Sequence, residues 1–356
     1  MQKMFKRGML LCPPKYSLYN VFTGILGEIC SEVSGVNVMS YVKPYEVKIN
    51  TQIFRLPYSI RNKWIEYFQQ KINNEFLMEF RRLSPDLVFI YNSEMLLPST
   101  VLQIKKTAKV IFFLGDSPFF TNTNNYFLTI LNLGDLVLAA DSFWLQQIQT
   151  VGIKNTSFFV PGIDGRNYHQ NPDINLMNKI KETDIIYCGM GYVNSWGFKK
   201  AMLMSKFVGL NFEIYGDKHW KKWFTYFPEL INVFHESGFI PTPELNAMFN
   251  KTKLMPVDGN PGILNGFHIR VFEALSAGVL PIIEYRKDLE ESVFFGLDIQ
   301  LPIIKSYDDA LNIAEYYLAN ENLRLNTVKV MRDHVLAQFN SEKNGERILR
   351  NLSRLS

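Results

Sequence analysis

The sequence NGFHIRVFEALSAGVLPIIEY, residues 265–285, carries the clearest fold signal in this chain of 356 residues. A loop containing Gly266 leads into a helical pattern, Gly278 ends that pattern, and an apolar run follows. Glycine at the end of a helix is a common stop signal, and a continuous apolar run indicates a strand buried on both faces. A helix followed by a buried strand is the repeating unit of a parallel sheet.

The same alternation extends in both directions. Strand candidates in the first half are GMLLCP, VNVMSYV, DLVFIYN, AKVIFFLGD, DLVLAAD and TSFFVPG, with amphipathic segments between them. The pattern restarts with DIIYCG at residue 184 and continues through NFEIYG and KLMPVDG. We therefore predict an α/β fold of two doubly wound, Rossmann-like domains that face each other across a cleft. The predicted domains are 1–165 and 184–340, joined by a linker at 166–183, and a helix at 341–356 packs back on the first domain.

Composition excludes several classes of protein. The chain is 47% hydrophobic and 20% charged, which is typical of globular domains and not of disordered ones. Its net charge of +4 permits a phosphate-bearing ligand but is low for a dedicated nucleic-acid binder. The three cysteines lack Cys-x-x-Cys spacing and the five histidines form no cluster, so no metal site and no disulfide framework is expected.

Location is predicted from the apolar runs. None approaches the roughly 20 residues that span a bilayer, and the first apolar run is too short for a signal peptide. We expect a cytoplasmic protein. The segment at 61–83 reads as an amphipathic helix with basic and aromatic residues, which suits peripheral contact with the inner face of a membrane or ordinary packing on its own sheet.

Arg270 and Glu273 are the strongest candidates for chemistry. They stand three residues apart near a helix start, so they share a face at the end that attracts anions. The guanidinium of Arg270 could clamp a diphosphate, and the carboxylate of Glu273 could accept hydrogen bonds from both hydroxyls of a ribose. The alternative is an intrahelical ion pair followed by a glycine cap.

Arg270, Phe272, Glu273, Ala274 and Gly278 form the pattern Arg-x-Phe-Glu-Ala-x-x-x-Gly. This pattern resembles the donor-binding signature of GT-B glycosyltransferases, closest to the group-one and spore-maturation (CgeB-like) branches. The resemblance implies that the Glu binds the ribose of a nucleotide-sugar and that the Arg lies near its diphosphate. Many group-one enzymes carry a second Glu eight residues earlier, where this chain has Asn265. Inverting and retaining chemistry both stay open.

The resemblance extends to DIIYCGMGY, residues 184–192, which is similar to the strand and glycine loop that open the second GT-B domain. Glycines there would allow close approach of backbone to a phosphate. The lysines of the following helix stand where such enzymes often place a phosphate-binding base. The predicted donor-binding residues, besides Glu273 and Arg270, are Gly189, Gly191, Lys199, Lys200, Asn265, Gly266 and His268.

Asp116 is the candidate catalytic base. It follows the buried strand in FFLGDSPFF, where an acid would face the cleft. The resemblance implies that it corresponds to the catalytic Asp of the T-even phage DNA glucosyltransferases, another GT-B group. A carboxylate there could take the proton of an attacking hydroxyl. The alternative is a turn residue that caps the next segment.

The predicted function is transfer of a sugar from a UDP-, GDP- or ADP-sugar to a hydroxyl of an acceptor, without a metal or other cofactor. A glycan or lipid-linked acceptor is favoured, and a nucleic acid acceptor is less favoured. The alternatives are a two-lobed sugar or nucleotide-sugar binding protein and a sugar-nucleotide epimerase of the same architecture.

Overall fold

A computed structural model describes residues 3–92, 95–119, 125–163, 165–171, 182–260 and 262–355. The chain divides into two compact units. The first contains the chain up to Pro161 and returns from Phe339 onward, and the second runs from Gly162 to Gln338.

The first unit is built on a parallel sheet of six strands in the order β2-β1-β3-β4-β5-β6. Its strands are β1 (Phe5–Leu11), β2 (Cys30–Val36), β3 (Leu87–Tyr91), β4 (Lys109–Leu114), β5 (Leu136–Ala139) and β6 (Thr156–Phe158). Its helices are α1 (Ser17–Ile29), α2 (Pro44–Gln52), α3 (Tyr58–Leu83), α4 (Pro98–Ile104), α5 (Phe127–Leu133), α6 (Ser142–Thr150) and, at the end of the chain, α12 (Ser341–Leu355). Strands β3, β4 and β5 are almost wholly buried, as their continuous apolar sequences indicate.

The last helix, α12, packs within the first unit. Its buried Ile348 and Leu352 lie in the same apolar cluster as Phe22 and Ile25 of α1. The amide of Asn344, also on α12, donates to the carbonyl oxygens of Val160 (3.0 Å) and Pro161 (2.9 Å). A buried amide with satisfied hydrogen bonds fixes this helix to the segment where the chain leaves the first unit.

One predicted strand is misplaced. The apolar run VNVMSYV suggests a strand at 36–42, but the structure has β2 at Cys30–Val36 and a 3-10 helix at Val38–Tyr41. Among the described residues, strand β2 pairs with β1 alone and lies at the edge of the sheet, so several of its side chains are exposed and its sequence CSEVSGV is polar. An edge strand lacks the apolar run that marks a central strand.

The second unit has its own parallel sheet of six strands, in the order β9-β8-β7-β10-β11-β12. The strands are β7 (Thr183–Cys188), β8 (Phe212–Gly216), β9 (Phe234–Glu236), β10 (Thr252–Val257), β11 (Leu280–Glu284) and β12 (Ile303–Ile304). The helices are α7 (Ser195–Ser205), α8 (Thr242–Asn250), α9 (Arg270–Ser276), α10 (Ala310–Ala319) and α11 (Glu321–Gln338). Numbered within the unit, the order is 3-2-1-4-5-6, that of a dinucleotide-binding sheet. The predicted α/β class with two doubly wound sheets is confirmed.

The segment at 265–285 folds largely as its sequence indicates. Helix α9 is entirely buried after Arg270, and Gly278 follows it at φ 74°, a conformation that favours glycine. Strand β11 then enters the core between β10 and β12. Helix α11 is an element that the sequence pattern did not reveal. In the described part of the chain, no helix combines the length and apolarity needed to cross a membrane.

Candidate functional site

A cavity of about 190 Å³ lies where β7 and β10 end, in the second unit. These two strands are neighbours at the centre of the sheet, and the chain continues outward from them in opposite directions. This is the topological switch point, the place where doubly wound sheets bind ligands. The cavity is lined by Tyr187, Cys188, Gly189, Met190, Tyr192, Lys200, Met255, Pro256, Val257, Asp258, Asn260, His268 and Arg270.

The buried pair of Lys200 and Asp258 forms one wall. The Nζ atom of Lys200 lies 3.6 Å from Oδ2 of Asp258, and the hydroxyl of Tyr187 donates to Oδ1 of Asp258 at 2.9 Å. The ammonium of Lys200 also lies over the ring of Tyr192, 4.9 Å from its centroid. Burial lowers the pKa of Lys200, and Asp258 acts against that shift. Lys200 is therefore a buried cation with one carboxylate partner.

His268 and Arg270 form a second wall. The backbone N–H of Arg270 donates to Nδ1 of His268 at 3.0 Å, which requires a lone pair on that nitrogen. Burial, helped by Arg270 and Lys200, lowers the pKa of His268 to about 3. The imidazole is therefore neutral at physiological pH and, since Nδ1 accepts, its proton is assigned to Nε2.

The ion pair of Arg270 and Glu273 is present, with Nη1 and Oε2 3.2 Å apart. Its geometry does not form a hydrogen bond, and among the described residues both atoms are buried without one. A buried charged atom without a hydrogen bond is costly unless a ligand supplies one. The intrahelical ion pair, the alternative drawn from the sequence, is therefore present, and binding of a ligand by these two residues stays a prediction.

Lys199 takes a different direction from Lys200. Its Nζ donates to Oε2 of Glu284 at 2.6 Å, at the end of β11. The same oxygen accepts the backbone N–H of Gly259 at 3.0 Å and lies 3.4 Å from Nη2 of Arg286. Lys199 is absent from the cavity lining, so it supports the loop that follows β10.

The two glycines after β7 differ. Gly189 lines the cavity, whereas the N–H of Gly191 is donated to Asp217 at 3.0 Å. A Cβ atom on Gly191 would lie 2.4 Å from the backbone nitrogen of Trp220. Close packing thus explains Gly191 by itself, and its amide is occupied.

Asn265 and Gly266 lie in the loop before α9 but outside the cavity lining. The carbonyl oxygen of Asn265 accepts the N–H of Asp288 at 2.9 Å, which ties this loop to the segment after β11. Gly266 is buried. The structure thus brings Gly189, Lys200, His268 and Arg270 around one cavity and places Glu273 against Arg270.

Asp116 belongs to the first unit, just beyond the end of β4. Nδ2 of Asn92, which follows β3, donates to Oδ2 of Asp116 at 2.6 Å, and Oδ1 of Asn92 accepts the N–H of Gly115 at 2.8 Å. The backbone of Asn92 is in the left-handed region, with φ 45°. Asp116 as a residue is exposed, but partial burial of its carboxyl group raises the pKa of Asp116, and the hydrogen bond from Asn92 acts against that shift. A solvent-accessible carboxylate at the end of a central strand can act as a base.

Sequence reasoning did not single out Asp258, Glu284 or Tyr187. Asp258 and Glu284 stand at or just after the ends of two buried strands, in PVDG and PIIEY. Acids at the carboxyl ends of parallel strands are a usable signal, because those ends line the ligand-binding edge. Among the described residues, no three His, Cys, Asp or Glu side chains are grouped for a metal ion.

Comparison with known proteins gives one family and many structures. Residues 198–350 match the family described as "Glycosyl transferase-like". A search of curated proteins finds no match.

Solved structures of low sequence identity share the whole fold. Sucrose-phosphate synthase from Thermosynechococcus elongatus has a TM-score of 0.66 at 9% identity, covering 98% of this chain and 99% of that one. HepE of Anabaena, solved in complex with UDP-glucose, has a TM-score of 0.67 at 12% identity with the same coverage. A glycosyltransferase from Rickettsia africae has a TM-score of 0.63 at 13% identity, covering 98% of both chains.

The family match contains α9 and its Arg270–Glu273 signature, and the structural matches extend over both six-stranded sheets. The structural matches therefore show that the chain has the GT-B fold, and its residues 198–350 are similar to a glycosyltransferase family.

Proposed function

We propose that the second unit binds a nucleoside diphosphate sugar in the switch-point cavity and that the protein transfers the sugar to an acceptor hydroxyl. The observation that carries this proposal is the convergence of Arg270, Lys200 and neutral His268 on one cavity at the centre of the sheet. Each presents N–H donors, and two are cationic, which suits the oxygens of a diphosphate.

The donor is held in two parts. Arg270 and Lys200 stabilise the diphosphate, both bound and as the leaving group, because cations inside a cavity act strongly on developing negative charge. Glu273, which pairs with Arg270 beside the cavity and is not among the residues that line it, accepts hydrogen bonds from the ribose hydroxyls. These two cations fulfil the role that a metal has in other transferases, so we expect turnover without added metal.

The base of the reaction is Asp116. It accepts the proton of the acceptor hydroxyl as the oxygen attacks C1 of the sugar and the diphosphate leaves. The raised pKa of Asp116 supports this role, since a base with a pKa nearer neutrality removes a proton more effectively. Direct displacement of this kind inverts the anomeric centre.

UDP-glucose is the first donor to test, because HepE, a protein of the same fold, was solved with it. GDP- and ADP-sugars complete the donor panel. We expect a glycan or a lipid-linked sugar as the acceptor, in the cytoplasm.

The decisive experiment incubates the full chain with each nucleotide-sugar, with and without candidate acceptors, in the presence of a chelator. Release of nucleoside diphosphate that depends on an acceptor supports transfer. Conversion of one nucleotide-sugar into another without release would make the protein an epimerase. Donor binding without either reaction would make it a binding protein. Loss of transfer with the chelator would contradict a metal-independent reaction.

A further inference from the structure

Exposed apolar side chains are concentrated on one part of the first unit, which includes α2 and the first turns of α3. Tyr58 is 66% exposed, Tyr67 55% and Ile60 52%. The exposed apolar residues of this part, here called the 43–67 surface, are Tyr45, Val47, Ile49, Leu56, Tyr58, Ile60 and Tyr67. A group of this kind on a folded protein marks an interaction site.

These side chains are not the core face of their helices. On α3, Ile60, Lys63 and Tyr67 are spaced by three and four residues, so they share one helical face. The buried residues Phe68, Ile72, Phe76 and Phe80 supply the core contacts of the same helix from another face. Helix α3 therefore packs on the core through one face, and its exposed apolar residues are not needed for that packing.

Helix α2 is fixed to α3 by a buried ion pair. The Nζ atom of Lys71 donates to both carboxylate oxygens of Glu46, at 2.6 and 2.8 Å, and Glu46 is 1% exposed. The carboxylate also accepts the backbone N–H of Lys43 at 2.8 Å. The surface is therefore presented by two helices locked together.

The exposed charges of this surface are mostly positive. Lys43, Lys48, Arg55 and Lys63 are exposed against one exposed acid, Glu66, because the other acid between residues 43 and 67, Glu46, is buried and paired. The guanidinium of Arg61 lies over the ring of Tyr58, 5.2 Å from its centroid. Exposed lysines next to tyrosines and aliphatic side chains are the composition of a membrane-surface helix.

We propose that the 43–67 surface binds an anionic lipid bilayer peripherally. The lysines attract the headgroups, and the tyrosine and aliphatic side chains enter the boundary between headgroups and acyl chains. A nucleic acid would satisfy the lysines but would leave Val47, Ile49, Leu56 and Ile60 without apolar partners. This inference is independent of the proposed function, because it concerns binding of a surface and requires no sugar transfer.

The test is sedimentation of the full chain with vesicles of phosphatidylcholine, with and without phosphatidylglycerol. We expect binding only to the vesicles that contain phosphatidylglycerol. Binding should fall sharply in about 1 M salt, where the Debye length is about 3 Å. Equal binding to both vesicles, or no binding to either, would overturn the proposal.

Two double variants separate the charged and apolar parts. Each basic residue near an anionic surface contributes about fivefold to binding, so Lys48→Glu with Lys63→Glu should weaken it by at least roughly 30-fold. Tyr58→Ser with Ile60→Ser should weaken it about tenfold, because apolar side chains no longer leave water. Thermal unfolding of each variant should match that of the unchanged chain, since all four positions are surface-facing.

Matched controls carry the same changes elsewhere. Lys106→Glu with Lys154→Glu makes the same charge change at exposed positions, and Val151→Ser with Phe239→Ser removes exposed apolar groups. Both controls should bind vesicles normally, and an equal loss in them would overturn the proposal. Two other results would also overturn the proposal. One is binding of duplex DNA, weakened by the charge variant alone, and the other is self-association without vesicle binding, abolished by the serine variant.

Discussion

Lys200 and Asp258 face each other inside the second unit, with Nζ 3.6 Å from Oδ2 and both side chains more than 90% buried. The first comes from α7 and the second from the end of β10, so the pair joins a helix to the sheet at the candidate donor cavity. Removal of one member of a buried pair leaves the other charge uncompensated, which is more costly than removal of both.

Lys200→Met should therefore lower the free energy of unfolding of the second unit by about 3 kcal/mol. Lys200→Met combined with Asp258→Asn should recover much of that loss, because no isolated charge remains. Denaturant unfolding, followed by the tryptophans of the second unit, measures both. Two units in one chain can unfold separately, so the transition of each should be fitted by itself. A single variant as stable as the unchanged chain would show that Asp258 is satisfied without Lys200.

Glu273 tests the ribose contact. Glu273→Ala should weaken binding of UDP about tenfold to 100-fold, because a hydrogen bond to a charged group contributes about 1.5–3 kcal/mol. Calorimetry measures the affinity.

The matched ligand for this test is 2′-deoxy-UDP. If Glu273 holds the ribose diol, the unchanged chain should bind 2′-deoxy-UDP less tightly than UDP. The Glu273→Ala variant should bind the two ligands about equally. This cycle isolates the contact from any general effect of leaving Arg270 unpaired. A deoxy penalty that persists in the variant would remove the ribose role of Glu273.

The two lysines of α7 have different partners that their sequence does not predict. Lys199 and Lys200 are adjacent and chemically identical, and the pattern assigns both to a phosphate. The structure separates them, because Lys199 donates to Glu284 whereas Lys200 faces Asp258 and the rings of Tyr187 and Tyr192. The two acids stand at or just after the ends of strands that are distant in sequence, β10 and β11. A helical pattern gives the direction of a side chain but not its tertiary neighbours.

The same limit applies to the fold. Central strands such as β4 and β11 were predictable because a strand that is buried on both faces has a continuous apolar sequence. The edge strand β2 was misplaced, and α11 was missed because its buried face includes the polar residues Arg324 and Thr327, which interrupt the apolar pattern. The order of the strands, and with it the switch point, follows from pairing that no local pattern encodes.

Asp116→Asn tests the proposed base. General base catalysis contributes about 10²–10⁴-fold, so turnover should fall by that factor while donor affinity, a property of the second unit, stays unchanged. Initial rates of nucleoside diphosphate release and calorimetry with UDP measure the two quantities. Asn92→Ala should cost less, because it removes a hydrogen bond to the carboxylate but leaves the base in place. Near-normal turnover of Asp116→Asn would exclude it as the base.

His268 gives a pH dependence of stability. Its pKa is about 3 in the folded protein and about 6.5 in an unfolded chain, so the unfolded state binds an extra proton between those values. Stability from this residue is full above pH 6.5 and is lost as the pH falls toward 3, by up to about 1.4 kcal/mol per pH unit. Unfolding free energies of the unchanged chain and of His268→Gln, measured from pH 7 to pH 4.5, should diverge in that direction. Parallel curves would mean that His268 titrates normally in the fold.

Gly191 distinguishes packing from phosphate binding. Gly191→Ala places a Cβ atom 2.4 Å from the backbone nitrogen of Trp220, where backbone has little freedom to move. We expect a loss of about 1–3 kcal/mol in the free energy of unfolding, the usual cost of overpacking a well-packed core. The control is Gly238→Ala in the same unit, where a Cβ atom meets nothing within 4 Å and stability should hold. Since the N–H of Gly191 is donated to Asp217, UDP affinity of the folded variant should change little. The opposite result, normal stability with weakened UDP binding, would assign this glycine to the phosphate after all.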